Sequence, residues 1–241
     1  MTLPRTAGVT LWRQIVLNLE RDILSGAFAP GEKLPTEMEL ADRFRVNRHT
    51  VRRAMVVLQE KDLVRVEQGR GAFVQDHLIE YSVGKRTRFS ENMALQNHLP
   101  GGTLLNKDVV ESEGEMAQAL QLPAGRKAVR MDILREADGR PIAIASHFFP
   151  LPRFTGIDEM FVQKSSITAC LTEFGVADFT RVYTRITARP PTQEEAVILR
   201  QPRTRPLLVA KSLNVDTRGL PIDYGCTRYN SDRVQIALDK A

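Results

Sequence analysis

GEKLPTEMELADRFRVNRHTVRRAMVVL, residues 31–58, decides how the first part of the chain is read. Thr36 and Glu39 form a Thr-x-x-Glu capping box, whose side chains satisfy free N–H groups in the first turn of a helix. Met38, Leu40, Ala41 and Phe44 mark that helix as short. Arg45, Val46 and Asn47 make a tight turn, and Asn47 is a good N-cap for the next helix. There Val51, Ala54, Met55 and Leu58 recur at i, i+3, i+4, i+7 and face inward, leaving Arg48, His49, Arg52 and Arg53 outside.

Upstream, Leu11, Ile15, Leu19 and Ile23 recur every fourth residue on a helix that Thr10 can cap and that ends by Gly26 and Pro30-Gly31. Downstream, the apolar runs 63–66 and 72–74 flank Glu67-Gln68-Gly69-Arg70-Gly71, a β-hairpin with a flexible basic tip. Helix, helix, turn, helix and hairpin is a winged helix-turn-helix: the last helix enters the DNA major groove and the hairpin lies along the backbone. Arginine pairs bidentately with guanine, so Arg48 and Arg52 are candidates for base reading. Thr50 and the helix N-terminus suit phosphate.

The whole chain has 241 residues, a net charge of +5 and a pI near 9.4, which fits two folded domains and only weakly hints at a polyanion. Residues 43–53 are more telling, holding five arginines and one histidine with no acid. Cys170 and Cys226 are too few for a disulfide framework or a zinc site, so a cytosolic, reducing setting is expected, with no metal and no cofactor. Arg13, Gln14 and Asn18 break the first apolar run, so it is no signal peptide. No uncharged segment approaches the roughly 18–20 residues of a membrane span.

After residue 102 the period changes to two. Val129, Met131 and Ile133 alternate with Arg130 and Asp132, and alternation puts Arg181, Tyr183 and Arg185 on one strand face. Short helices fit between strands, one of them opened by a second capping box at Thr192 and Glu195. The expected class is α+β with a mainly antiparallel sheet. A weak repeat runs through this half: Glu115-x-Ala117-x-x-Leu120-x-x-Pro123 recurs as Glu194-x-Ala196-x-x-Leu199-x-x-Pro202, and Gly139-x-Pro141-Ile142 as Gly219-x-Pro221-Ile222. Two helix-plus-hairpin halves would build one sheet with pseudo-twofold symmetry. The expected boundaries are a winged domain at 1–75, a linker at 76–87 and a second domain at 88–241.

The stretch from Gly31 through Leu34-Pro35-Thr36-Glu37 to Val51-Arg52-x-Ala54, with Gly69-Arg70-Gly71-x-Phe73-Val74, resembles the DNA-binding domain of the GntR family of bacterial transcriptional regulators. That resemblance implies operator reading by Asn47, Arg48, Thr50 and Arg52 with wing contacts from Gln68 and Gly69, and the expected DNA-binding set also includes Thr36, His49 and Arg70. Where many members carry an arginine in the second helix, this chain has Met38.

The remainder, from about Arg88 to Arg233, resembles the UTRA effector-binding domain of the HutC subfamily, which has a chorismate lyase-like fold. Arg88-Phe89-Ser90-Glu91-Asn92, Ser146-His147-Phe148-Phe149 and Thr184-Arg185-Ile186-Thr187-Ala188-Arg189 bring it nearest to regulators of phosphonate metabolism. The effector-binding residues expected are Arg88, Phe89, Ser90, Arg135, His147, Arg181, Asp223 and Tyr229. Ser90 would cap a helix over 91–97 whose N-terminus attracts an anion. Asp223 would meet the amine of an aminoalkyl phosphonate, and His147 is either a ligand contact or a core residue. The partners implied are a palindromic DNA operator, a second copy of the chain in a homodimer, and a small anionic effector: a phosphonate, a sugar phosphate or urocanate. The reading is a ligand-responsive regulator, a repressor, acting in the cytoplasm. A lyase-like enzyme is the competing class, and no nucleophile, metal-ligand or phosphate-loop motif supports it.

Replacing Arg48 by Ala should weaken binding to a preferred duplex by about 1–3 kcal/mol and relax sequence preference. A gel-shift titration showing unchanged binding would mean the reading helix is misassigned.

Overall fold

The computed structural model describes residues 10–75 and 78–238, in two compact units that divide after residue 77. In the first unit α1 (Leu11–Leu24), α2 (Glu37–Phe44) and α3 (Arg48–Glu60) pack around one core, and the antiparallel pair β1 (Val64–Glu67) and β2 (Gly71–Val74) forms the wing. Ile15, Leu19, Leu40, Val51 and Leu58 are fully buried, each removal of a side chain that size from water being worth about 1.5–3 kcal/mol. The capping box at Thr36 forms as read, and Arg45 takes the left-handed conformation that closes α2. Three details differ. Thr10 occupies the N-cap of α1, but its side chain makes no capping bond. Leu11 and Met38 are exposed, because each stands in a first turn before the core face begins.

The second unit begins earlier than expected. Asp76 and His77, part of the expected linker, lie outside the described residues. The same expected linker includes Ile79–Ser82, which is a strand, β3, paired in parallel with the last strand, β10 (Val234–Ala237). Ile79 and Tyr81 are buried there. Two buried side chains, Ile79 and Tyr81, in a polar context carry little periodic signal, and the partner strand comes from the far end of the chain. Next come α4 (Phe89–Leu95), β4 (Pro100–Glu111), α5 (Gly114–Leu120), β5 (Lys127–Ala137) and β6 (Arg140–Pro150). They are followed by α6 (Ile157–Lys164), α7 (Ile167–Glu173), β7 (Phe179–Arg189), α8 (Gln193–Ile198), β8 (Leu207–Asp216) and β9 (Pro221–Asn230).

Six strands form one antiparallel sheet in the order β4-β5-β6-β9-β8-β7. That order is a palindrome of the two repeats, strand-helix-hairpin followed by strand-helix-hairpin. Ser146 faces Cys226 across the central β6–β9 pair, 80 residues apart, so an approximate twofold axis passes there. Both hairpins carry a β-bulge, with Ile142 the extra residue in one and Ile222 in the other, 80 residues apart. The pseudo-symmetry inferred from the repeat is therefore built into the register.

Another bulge corrects an expectation. Register shifts between Arg181 and Tyr183, so Val182 is the extra residue and alternation reverses. Tyr183 packs with Leu213 and Tyr224, and the Arg185 guanidinium lies over the Tyr183 ring at 4.6 Å. Arg181 therefore faces the opposite way from Tyr183 and Arg185. The helix N-cap at Ser90 is also displaced: α4 begins at Phe89, Arg88 holds the cap position without a side-chain capping bond, and Ser90 sits in the first turn.

On that second face an ionic ladder crosses the sheet. Glu195 takes two bonds from Arg189, at 2.7 and 2.6 Å, and closes the capping box of α8. Arg228 lies 3.4 Å from Glu195 and donates to Ser146 at 2.9 Å, and Ser146 in turn donates to Asp132. Hydrogen bonds from Arg189 hold the Glu195 carboxyl down at about 2, from an ordinary value of 4.5. A depressed carboxylate stabilises the fold above its unfolded value and loses that contribution as pH falls. The gain at neutral pH is on the order of 2 kcal/mol once screening is allowed for. Glu195→Gln should lower stability at pH 7 and converge with the parent between pH 4.5 and 2, as read by denaturant melts across pH; parallel curves would refute it.

Candidate functional site

In the first unit the expected DNA-contacting residues stand at the cap of α2, on α3 and at the wing tip, and all but Thr50 are exposed. Asn47 caps α3 by accepting the His49 N–H at 3.0 Å. Arg48, His49 and Arg52 are exposed and Thr50 is half-buried. Arg53 is diverted, its guanidinium lying 4.6 Å from the Trp12 ring centre. Arg52 is held by Glu37 through Nε at 3.1 and 3.2 Å and Nη2 at 2.8 Å. At the wing tip Gln68, Gly69 and Arg70 are exposed, and Gly69 has φ +75°, a conformation that glycine adopts without strain. Arg70 pairs with Glu67 and covers Phe73. Thr36 is exposed but spends its hydroxyl inside its own capping box.

In the second unit one cavity of about 70 Å³ opens between the sheet, the 87–90 segment and the start of α7. All eight expected effector residues line it: Arg88, Phe89, Ser90, Arg135, His147, Arg181, Asp223 and Tyr229. They come from α4 with its cap residue and from four different strands, brought together because β5, β6, β9 and β8 are adjacent and β7 carries its bulge at Val182.

Arg135 is the unusual group. It is 5% exposed, and its guanidinium lies 4.9 Å from the Phe89 ring centre and 5.6 Å from that of Phe161. Among the described residues no carboxylate lies within ion-pair distance of it. Burial lowers its affinity for the proton, but a guanidinium stays charged in proteins. Room for it is made by Gly102 directly across the β4–β5 pair, where a Cβ would lie 3.1 Å from Arg135 Nη1.

The second arginine, Arg181, donates through Nε to the Asn214 side chain at 3.2 Å and likewise meets no carboxylate among the described residues. Asn214 then donates to Asp223 at 2.9 Å, and His147 Nδ1 meets both Asp223 oxygens at 3.0 and 3.1 Å. A carboxylate only accepts, so Nδ1 of His147 carries the hydrogen and Nε2 is left over. His147 also stacks on Phe149, 5.9 Å between ring centres, so it is at once a cavity wall and a packed residue. Asp223, 1% exposed, is already engaged by His147 and Asn214, which leaves it a poorer partner for a ligand amine than expected. Arg88 is anchored too, bonded to Asp178 at 2.8 Å and lying 4.3 Å from the Phe179 ring centre. Burial pushes the Tyr229 hydroxyl well above its ordinary value, keeping it a neutral donor.

Sequence reasoning missed Asn214, Thr87 and Ser166 in the cavity wall. For Asn214 a signal existed: it stands one repeat after Arg135, and the pairs Gly102–Arg135 and Arg181–Asn214 occupy equivalent places. Each half thus contributes one arginine, from the inner strand in one and from the edge strand in the other.

The family model for bacterial regulatory proteins of the gntR family matches residues 11–74, and that for the UTRA domain matches 95–235. An HTH-type transcriptional regulator of Rhizobium meliloti is 36% identical over 98% of this chain and 97% of its own length. The transcriptional regulator PhnF of Escherichia coli is 30% identical over 97% of each chain. The crystal structure of PhnF from Mycobacterium smegmatis shares the fold, with a TM-score of 0.66, 23% identity, and coverage of 94% of this chain and 99% of that one. No helix among the described residues is long and apolar enough to cross a membrane. Fold, cavity and relatives agree that the chain belongs to the gntR family, in the branch that carries a UTRA domain, and is a ligand-responsive, DNA-binding transcriptional regulator.

Proposed function

We propose that the protein is a cytoplasmic repressor that binds a palindromic operator as a homodimer and loosens its hold when a small oxoanion, a phosphonate or phosphate, fills the cavity of the second unit. The observation that carries this is Arg135, a buried cation without an acid partner among the described residues. Leaving a charge buried and uncompensated is unfavourable. An anion bound between Arg135 and Arg181 supplies the missing charge, and the planar forks of two arginines match a tetrahedral oxoanion.

At roughly 10–15 Å³ per water-sized position, a cavity of about 70 Å³ has room for a group of phosphate size. His147 Nε2 remains to contact a short substituent on phosphorus, beside a Tyr229 hydroxyl that is already engaged by Tyr81 and Thr227. DNA contact falls to Asn47, Arg48, His49, Thr50 and Arg52 with the wing tip Gln68, Gly69 and Arg70, while Thr36 acts by shaping α2. Coupling is reciprocal: a ligand that weakens operator binding is itself bound less well on DNA, by the same factor. The cavity wall at 87–90 directly follows β3, the first element of the second unit, so ligand contact lies close in the chain to the DNA-binding unit.

Thermal-shift titrations with methylphosphonate, 2-aminoethylphosphonate, inorganic phosphate, glucosamine 6-phosphate and urocanate test the reading. A ligand at 100 times its Kd adds about 2.7 kcal/mol, and one of the small phosphorus oxoanions should give the largest shift. Arg135→Met should leave the free protein at least as stable, because it removes an uncompensated charge, yet abolish the ligand shift. Arg181→Ala should lose the ligand response and keep operator binding. A retained response in both variants would move the effector site elsewhere.

A further inference from the structure

Among the exposed arginines of α3, Arg52 is the one gripped by a carboxylate. Glu37, the first residue of α2, accepts from Arg52 Nε and Nη2 with all three contacts at 3.2 Å or less. Both side chains are substantially exposed, 56% for Arg52 and 39% for Glu37. An exposed pair of this kind adds little to stability. It also places a negative charge on the surface that must approach DNA phosphates, which by itself opposes binding. Hydrogen bonding from Arg52 holds the Glu37 carboxyl below the usual carboxylate range, so it is ionised at neutral pH. Neither stability nor general affinity accounts for an acid in this place.

Geometry offers a third role. A guanidinium has five N–H donors in one plane. Glu37 occupies the Nε edge and one Nη2 hydrogen, leaving the parallel pair formed by Nη1 and the remaining Nη2 hydrogen at the far end. That remaining fork is the one that fits O6 and N7 of guanine. A free arginine must surrender rotamer entropy to fix this orientation, and the bond to Glu37 fixes part of it before DNA arrives. Arg48 has no such restraint among the described residues.

We propose that Glu37 is a specificity-determining, positioning residue of the DNA-reading surface: it orients Arg52 so that its free fork reads a guanine, exchanging general affinity for selectivity. The idea rests on α3 being the helix that enters the major groove.

The test uses the full chain and a preferred duplex selected from random DNA long enough for two half-sites about one helical turn apart. Parent, Glu37→Gln, Arg52→Ala and the double variant are titrated against that duplex, against copies in which single guanines are replaced by 7-deazaguanine, and against unrelated DNA. Glu37→Gln should bind unrelated DNA as well as the parent or better. It should lose about tenfold in preference for the selected duplex, at the same guanine as Arg52→Ala, with no further loss in the double variant. The 7-deazaguanine substitution that penalises the parent at that position should penalise Glu37→Gln less.

If Glu37→Gln strengthens binding to every duplex alike and keeps its selectivity, Glu37 is only an electrostatic brake and the proposal fails. If Arg52→Ala also keeps full selectivity, the assignment of the reading helix fails with it. Equal melting temperatures for all four proteins confirm that the comparison concerns folded chains.

Discussion

The second unit depends on one strand pair. β6 and β9 join two half-sheets that are related by the repeat, and the Ser146–Cys226 register fixes where the approximate axis falls. Because side chains alternate with period two, a slip of one residue there would turn every cavity-facing side chain of one half to the other face. Ala145, His147, Gly225 and Thr227 around the axis line the cavity, and Arg135 and Asn214 reach it from the flanking strands on either side. The cavity thus lies where the two repeats meet, and the asymmetry between them sets which side chains line it. Glycine at 102 opposite Arg135, and asparagine at 214 opposite Arg181, let two cations share a small space without touching.

Charge is handled differently on the two faces of that sheet. On the outer face Arg189, Glu195, Arg228, Ser146 and Asp132 form a ladder in which each cation meets an acid or a hydroxyl. On the cavity face the acid, Asp223, is occupied by His147 and Asn214, and the arginines Arg135 and Arg181 face the cavity with aromatic rings and an amide for company. The same fold satisfies its ions fully in one place and leaves two cations short of acid partners a few residues away, and that contrast is the ground for the proposed anion site. The DNA-binding unit shows a related economy. Arg53 is spent on Trp12 and Arg43 on Asp22, so a run of five arginines reduces to a few that face outward.

Much of the first unit was legible because local rules and tertiary demands coincide there. Thr36 and Glu39, Asn47, and the inward stripe of Val51, Ala54, Met55 and Leu58 each announce an element boundary or a buried face within a few residues of chain. The cavity residues were legible through the family resemblance, with the repeat pointing to their symmetry. What failed was local in appearance and global in cause. Val182 reads as an ordinary alternating residue, yet it is a bulge, because β7 must bend to bring Arg181 onto the cavity face. Ser90 reads as a better cap than Arg88, yet the helix starts earlier, with Arg88 tied to Asp178 across ninety residues of chain.

The amino-acid sequence by itself determined that this chain carries a winged helix-turn-helix followed by a repeated α+β unit, because helix caps, heptad-like spacing and strand alternation are short-range and written in neighbouring residues. Tertiary structure alone decided that Ile79–Ser82 is a strand, that Asp223 is already partnered, that Arg135 is buried with no carboxylate at ion-pair distance among the described residues, and that Glu37 grips Arg52. Each of those depends on which distant segments come within a few ångströms, and the energies of burial and ion pairing are set by that proximity, which spacing along the chain does not encode.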